Sequence, residues 1–199
     1  MQRTFIALAL SSVLSLSAHA QSAASQTQRD ANQSERVEQG LQSGQLSTRE
    51  AGSLERDQQR IERTQARDMR DGSLSPQEKA QIQREQNQAS RDIYRDKHNA
   101  VHGNPNSASS QRLQADVQRN ANQQQRIANG VKSGQLTNQE ASHLEAGQKR
   151  ESRNEANAAA DGHVGAHEQA HIQSRETRQS AHVYDKKHNE KTRPGATGG

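Results

Sequence analysis

The chain lacks several residue types on which common protein architectures depend. It has no Cys and no Trp, and only one Phe and two Tyr among its 199 residues. The absence of Cys excludes a disulfide scaffold, a Cys-ligated metal site and a Cys nucleophile. Only 28% of the residues are hydrophobic, and no long apolar run follows the N-terminal segment. We therefore expect neither a large enzyme core nor a transmembrane anchor beyond the N-terminus.

An excess of charge of one sign is also missing. The 27 Lys and Arg residues nearly balance the 23 Asp and Glu residues, which leaves a formal net charge of +4. Acidic and basic residues alternate along the chain, a pattern typical of solvated helix faces. With no basic block and no aromatic platform, we expect no binding of nucleic acid. An anionic surface is left open as a further partner.

The N-terminus has the pattern of a secretory signal peptide. Arg3 supplies a positive charge, residues 5–16 form an apolar run interrupted only by Ser, and residues 18–20 read Ala-His-Ala. This order of charge, apolar run and small residues predicts that residues 1–20 are a signal peptide and that the protein is periplasmic or secreted. Residues 21–27, directly after the expected cleavage site, are predicted to be disordered.

The remainder of the chain is duplicated. At an offset of 90 residues, 30 of the 72 positions compared from residue 28 to residue 99 are identical. The alignment predicts one helical repeat at 28–100 and a second at 118–189, joined by a linker and helix lead-in at 101–117. A disordered tail is predicted at 190–199.

A turn signature, Gly-x-Leu-Ser/Thr-x-x-Glu, recurs after 28 residues inside each repeat, at Gly44, Gly72 and Gly134, with a copy at Gly162 that has lost its hydroxyl. Gly closes one helix, Ser or Thr caps the next, and Glu completes a capping box. The fold is therefore predicted to be all-α, with two tandem three-helix antiparallel repeats, thinly packed and partly disordered. The helices of the first repeat are expected at roughly 28–43, 47–71 and 75–99. In the second repeat, the segment 151–161 is expected to fray or to depend on the helix propensity of alanine.

Three segments resemble the Leu-Thr-x-x-Gln motif of the periplasmic stress chaperones typified by Spy and CpxP, which are small all-helical proteins. They are residues 46–50, 74–78 and 136–140, in which Glu replaces the Gln of the motif. The resemblance implies an exported helical protein with a protective, chaperone-like role. Because some members of that group bind zinc, it also implies zinc as a candidate ligand.

The second repeat carries the HExxH pattern of zinc proteases, with His167 and His171 as its two histidines. Residues four apart share one helix face, so these two side chains are candidate ligands of a weak zinc, copper or nickel site. His163 is the third candidate ligand, and His182 and Glu190 are alternatives for that place. No other cofactor is expected.

A zinc hydrolase with Glu168 as its base is a less favoured interpretation of the same pattern. Glu168 is also the expected capping-box residue of its helix, and the first repeat has Gln77 and Gln81 where the second has the two histidines. We therefore predict no catalytic residue and no enzymatic activity.

The two tyrosines of the chain occupy matched places, Tyr94 before His98 and Tyr184 before His188. We expect each tyrosine to pack the end of the third helix against its neighbours, because an aromatic ring is the largest anchor that so poor a core offers. The alternative is a small recognition surface made by the Tyr-His pair.

Together these patterns favour an exported non-enzymatic helical protein that acts as an envelope-binding or stress-protective factor. Its expected partner is an envelope protein or a second copy of itself. Weak sequestration of a transition metal through the histidine cluster is the first alternative.

Overall fold

The computed structural model describes residues 13–191, with side chains from residue 23 onward. The prediction of an all-α fold is confirmed, since this part of the chain contains helices and no strand. The helices are Val13–Ser43 (α1), Thr48–Asp68 (α2), Pro76–Lys97 (α3), Ala108–Ser133 (α4), Asn138–Ala158 (α5) and Ala166–Lys187 (α6). Helices α1–α3 form the first half of the molecule and α4–α6 form the second. Between residues 13 and 191 no helix combines the length and the apolar character that crossing a bilayer requires.

The helix ends at the first turn of each half depend on two glycines. Gly44 and Gly134 have φ angles of 73° and 81°, a left-handed conformation that glycine adopts without steric cost. Leu46 N then donates to Gly40 O over 2.9 Å, which closes α1 with a Schellman-type bond. The leucine side chain covers Gly40, where an added Cβ would lie 2.5 Å from Leu46 Cδ1. The first turn therefore favours glycine at Gly44 for its left-handed conformation and at Gly40 for the space that Leu46 takes.

The predicted helix starts are present. Complete capping boxes begin α2, α3 and α5, formed by Ser47 with Glu50, Ser75 with Glu78 and Thr137 with Glu140. At α6, Gly165 offers no hydroxyl, but Glu168 Oε2 still accepts from Gly165 N over 2.8 Å. The helix boundaries thus follow local capping chemistry.

The main helix pairs join the two halves. Helix α1 packs chiefly along α4 and α2 chiefly along α5, whereas α3 and α6 pack against the helices of their own halves. Arg49 at the start of α2 donates to Asp161 O beyond the end of α5, and Asn138 at the start of α5 donates to Gly72 O beyond the end of α2. The α2 and α5 helices are therefore antiparallel. The predicted arrangement as two tandem three-helix repeats is not confirmed, because the closest helix pairs belong to different halves.

Two apolar clusters fill the bundle, and each takes side chains from both halves. The first cluster contains Ala23, Ala24, Ile61, Met69, Leu74, Ile82, Ala89, Ile127, Val131, Leu136, Ala141, Leu144 and Val183. The second contains Val37, Leu41, Leu46, Ala51, Leu54, Ile93, Leu113, Val117, Ala158, Ala159, Val164 and Ile172. Since neither half completes a cluster alone, each half depends on the other to bury its apolar face.

Residues 21–27, for which the sequence predicts disorder, lie inside α1. Ala23 and Ala24 are buried in the first apolar cluster, together with Ile127 and Val131 of the second half. Single alanines add little apolar area, so they left no recognisable pattern in the sequence. Their small size nevertheless suits the close packing of α1 against α4.

The connection between the halves lies against the first turn of the molecule. Gly103 N donates to Gly44 O over 2.9 Å. Ser107 then caps α4, so this helix begins within the segment 101–117 that the sequence predicts as linker and helix lead-in.

Several other predictions concern the margins of the described chain. Of the predicted signal peptide, residues 1–12 lie outside the described residues, as do residues 192–199 of the predicted tail. Helix α5 extends to Ala158, so most of the segment 151–161 is helical.

Candidate functional site: an exposed histidine surface and a buried carboxylate interface

The predicted metal ligands lie at and just before the start of α6. His167 and His171 are one helical turn apart and both are exposed, and His163 is exposed in the turn that precedes the helix. His167, Glu168 and His171 line an open depression of about 280 Å³ beside the end of α5. Two of the three predicted ligands thus share one surface, and His163 is not among the residues that line it.

Within residues 23–191, no group of three or more His, Asp or Glu side chains is arranged to hold a metal ion. The structure therefore does not bring His163, His167 and His171 together as a three-ligand site, and metal binding by them stays a prediction. The alternatives His182 and Glu190 are exposed at and beyond the far end of α6.

The prediction that the tyrosines anchor the core is wrong. Tyr94 is 62% exposed and Tyr184 is 57% exposed. Each ring stacks on the histidine one turn later, with ring centroids 4.1 Å apart. His98 Nδ1 lies 2.7 Å from Tyr94 O, and since a carbonyl oxygen only accepts, this nitrogen carries the proton. The tyrosines belong to the surface because the neighbouring Ile93 takes the buried face of α3.

An open groove of about 600 Å³ runs between α4 and α6. Arg119, Arg126 and Tyr184 contribute to its walls. Arg126 donates to Ser180 Oγ over 2.6 Å, and Arg119 Nε lies 3.4 Å from Glu176 Oε2. Because Glu176 is fully buried, the groove leads from the surface to a group of carboxylates in the interior.

Four glutamates are fully buried where the halves meet, two on α2 and two on α5. These interface carboxylates are Glu55, Glu62, Glu145 and Glu155. Among the described residues, none of them forms an ion pair with a Lys, Arg or His side chain. Burial of carboxylates without a cationic partner strongly disfavours their charged form.

Hydroxyl and amide groups supply the hydrogen bonds at this interface. Glu62 Oε1 accepts from Gln124 Nε2 over 2.7 Å and from Ser152 Oγ over 3.0 Å, so it joins α2 to both α4 and α5. Thr27 Oγ1 donates to Glu145 Oε1 over 3.1 Å and joins α1 to α5. At least one oxygen of every interface carboxylate nevertheless has no hydrogen-bond partner in the described chain. Glu62 and Glu145 thus connect the halves by hydrogen bonds, and none of the four carboxylates is fully satisfied.

The interface carboxylates are strongly perturbed acids. Burial raises the pKa of Glu145 and of Glu155 to about 8, and it raises the pKa of Glu55 and of Glu62 well above their ordinary value of 4.5. Loss of solvation is the largest cause in each case, and repulsion from neighbouring buried carboxylates adds to it. In the folded protein these groups therefore hold protons at pH values where a solvated glutamate is ionised.

Three further acids surround this layer. Burial raises the pKa of Asp30 and of Asp116 to about 7 and that of Glu176 to about 9. Asp30 accepts hydrogen bonds from Gln65 over 2.6 Å and from Gln86 over 2.7 Å, which partly offset its burial. The acidic interior thus extends from α2 and α5 into α1, α4 and α6.

Sequence reasoning missed the buried carboxylates because glutamate among Gln and Arg is typical of a solvated helix face. A usable signal was nevertheless present in the spacing of four polar residues. Glu55, Gln58, Glu62 and Gln65 follow one another at helical intervals directly beside the core residue Leu54. Such spacing places polar residues along the edge of the apolar stripe, where they are covered when a second helix packs there.

The chain matches no model of a protein family, no curated protein and no solved structure.

Proposed function

We propose that this chain is an exported non-enzymatic helical protein that protects the cell envelope by binding another protein there. The signal-peptide pattern at residues 1–20 supports export. If those residues are removed, Ala23 and Ala24 are retained, so the mature chain keeps the alanines that α1 contributes to the first apolar cluster.

The observation that carries the proposal is the polar interior between the halves. Besides the acids, several glutamines are buried in the bundle, and one of them, Gln124, donates across the interface to Glu62; the buried glutamines are Gln33, Gln58, Gln65, Gln86, Gln123, Gln124 and Gln148. Buried polar groups with incomplete hydrogen bonding reduce the net gain from packing. The association of the halves is therefore weak for its size, and the apolar clusters that they share become available to a partner when they part.

The two halves are best explained as copies of one three-helix unit. The bounds of α5 and α6 are those of α2 and α3 shifted by 90 residues. Positions that are 90 residues apart in the sequence also meet across the interface. Ser34 Oγ donates to Gln124 Oε1 over 3.5 Å, and Ser152 Oγ donates to Glu62 Oε1 over 3.0 Å. This relation gives each half a surface that fits a helical unit like itself, which favours helical or partly unfolded proteins as partners.

Aggregation of a model client tests this function. We expect the purified protein to reduce the light scattering of reduced lysozyme at neutral pH in proportion to its concentration. Ser142 Oγ on α5 donates to the backbone Ala66 O on α2 over 2.6 Å, so a variant with Ser142→Cys and Ala66→Cys brings two thiols to neighbouring positions of the two halves for crosslinking by oxidation. The oxidised variant should lose the protective effect and its reduced form should keep it. Equal protection by both forms, or none by the native chain, would contradict the proposal.

A second candidate function is weak sequestration of zinc, copper or nickel. The observation that favours it is the shared depression on which His167 and His171 lie exposed. An exposed pair of imidazoles one turn apart binds such metals without a buried cage. In the hydrolase alternative Glu168 would have to act as a base, but its carboxylate accepts the Gly165 amide proton at the helix start.

A further inference from the structure

The interface carboxylates are four fully buried acids, two on α2 and two on α5, at the contact between these helices. We propose that protons on the interface carboxylates hold the two halves of the molecule together, and that the halves loosen when these groups ionise. The protein would then be closed in acid and open toward alkaline pH. This inference concerns the regulation of the fold and holds whether or not the protein protects a client.

The groups that face the interface carboxylates from other positions are also acids. They are Asp30 on α1, Asp116 on α4, Glu151 on α5 and Glu176 on α6. Arginines act on this outer set and not on the interface carboxylates. Arg29 faces Asp30, and Arg119 faces both Asp116 and Glu176. Glu151 is faced by Arg150, Arg175 and Arg178. Helix α3 contributes the uncharged Gln86, which donates to Asp30. No facing base therefore compensates the charge that ionisation would create between α2 and α5.

The chain itself shows that an uncharged amide fits at the places of two of these acids, Glu155 among the interface carboxylates and Glu176 in the outer set. The position of Glu155 in the second half is taken by Gln65 in the first, and that of Glu176 is taken by Gln86. Both glutamines are buried in the same fold. A group with the shape of a protonated glutamate is thus compatible with the packing, and the specific property of the acids is that they can lose a proton.

The direction of the pH effect follows from proton linkage. In the unfolded chain a glutamate has its ordinary pKa of 4.5, whereas burial raises the pKa of Glu145 and Glu155 to about 8 in the folded chain. Between these values the folded form holds protons that the unfolded form has lost, so stability is present in acid and is lost as the pH rises. Each such group shifts the equilibrium between closed and open forms by about tenfold per pH unit in that window.

Distance measurements between the halves test the proposal. The chain has no Cys, so spin labels can be placed at Arg84→Cys on α3 and Ser174→Cys on α6, two exposed and equivalent positions. We expect a narrow distance distribution at pH 4.5 and a broader, longer one at about pH 8.5. An unchanged distribution across this range, or one that narrows as the pH rises, overturns the proposal.

A variant with all four interface carboxylates changed to Gln should keep the narrow distribution at both pH values. If that variant does not fold, the single change Glu155→Gln, which introduces the residue type of the equivalent Gln65, provides the test. It should raise the pH of the transition, that is, the pH at which the distance distribution broadens. The matched control is Glu35→Gln, which removes an exposed carboxylate of α1 and should leave the transition where it is. A transition that is the same in Glu155→Gln and in the native chain would contradict the assigned role.

Discussion

Asn189 Nδ2 donates a hydrogen bond to Glu140 Oε1 over 2.7 Å and so joins the segment after α6 to the start of α5. The other oxygen of Glu140 accepts from Thr137 N over 3.1 Å, which makes one carboxylate serve both as a helix cap and as a link between helices. Partial burial acts to raise the pKa of Glu140, but the hydrogen bonds from Asn189 and Thr137 outweigh it and leave the pKa below its ordinary value. Asn99 and Glu50 form the same link in the first half, also over 2.7 Å.

Loss of this link should weaken the fold. We expect Asn189→Ala to lower the free energy of unfolding by about 1 kcal/mol at neutral pH, the usual net value of one hydrogen bond. Because the lowered pKa of Glu140 contributes stability only above its unfolded value, the effect should shrink as the solution is acidified through the folded pKa. Urea denaturation measures it, with Asn122→Ala on the exposed face of α4 as control. The same loss in both variants would show that the link contributes nothing.

The contact of α2 with α5 predicts a steric effect at Gly52. A Cβ added there would lie 2.6 Å from Ala159 Cβ, and alanine has no flexible end that could move away. We expect Gly52→Ala to destabilise the protein by about 1–3 kcal/mol, as overpacking commonly does. The control is Gly165→Ser, which restores the missing capping hydroxyl and should stabilise by a few tenths of a kcal/mol. Thermal melting that ranks Gly52→Ala at or above the native chain would mean that α2 and α5 are not in close contact.

A buried acid predicts a variant whose benefit grows with pH. Burial raises the pKa of Glu176 to about 9, with further repulsion from Glu155 and Asp116. The native chain therefore loses stability as the pH rises from about 4.5 to about 9, whereas a Gln at this position does not titrate. The free energy of unfolding of Glu176→Gln should equal that of the native chain at about pH 5 and exceed it by at least about 1 kcal/mol at about pH 9. A pH-independent difference in chemical denaturation would contradict this prediction.

Metal binding at the predicted histidines should depend on their imidazoles. We expect the combined change of His167→Gln and His171→Gln, which introduces the first-half residues Gln77 and Gln81, to abolish the uptake of zinc, copper or nickel measured by calorimetry. His143→Gln, at an exposed position on α5, is the control and should bind as the native chain does. Unchanged binding in the double variant would exclude this site.

The exposed tyrosines predict a small effect on stability. Because Tyr184 is 57% exposed and stacks on His188 at the surface, Tyr184→Ala should cost less than about 1 kcal/mol. A buried aromatic anchor would cost about 3–5 kcal/mol instead. The comparison of melting curves for Tyr184→Ala and for Ile172→Ala, a substitution in the second apolar cluster, measures the difference.

The sequence predicted best what depends on neighbouring residues. The helix starts at Ser47 and Thr137 were predictable because capping involves residues only three apart. The pairing of α1 with α4 and of α2 with α5 was not, because apolar stripes this narrow do not specify which helix they face. The histidine surface followed from helical spacing, whereas the interface carboxylates became visible only when the second half covered the polar stripe that begins at Glu55.

The pairing of helices from opposite halves also has a consequence for cleavage of the connecting segment near Gly103. A protease that cuts there would not release two independently folding domains, because each fragment would lack one side of both apolar clusters. The two fragments of the nicked molecule would be held together only by the contacts between the halves, and separately expressed fragments would have to meet before either became ordered.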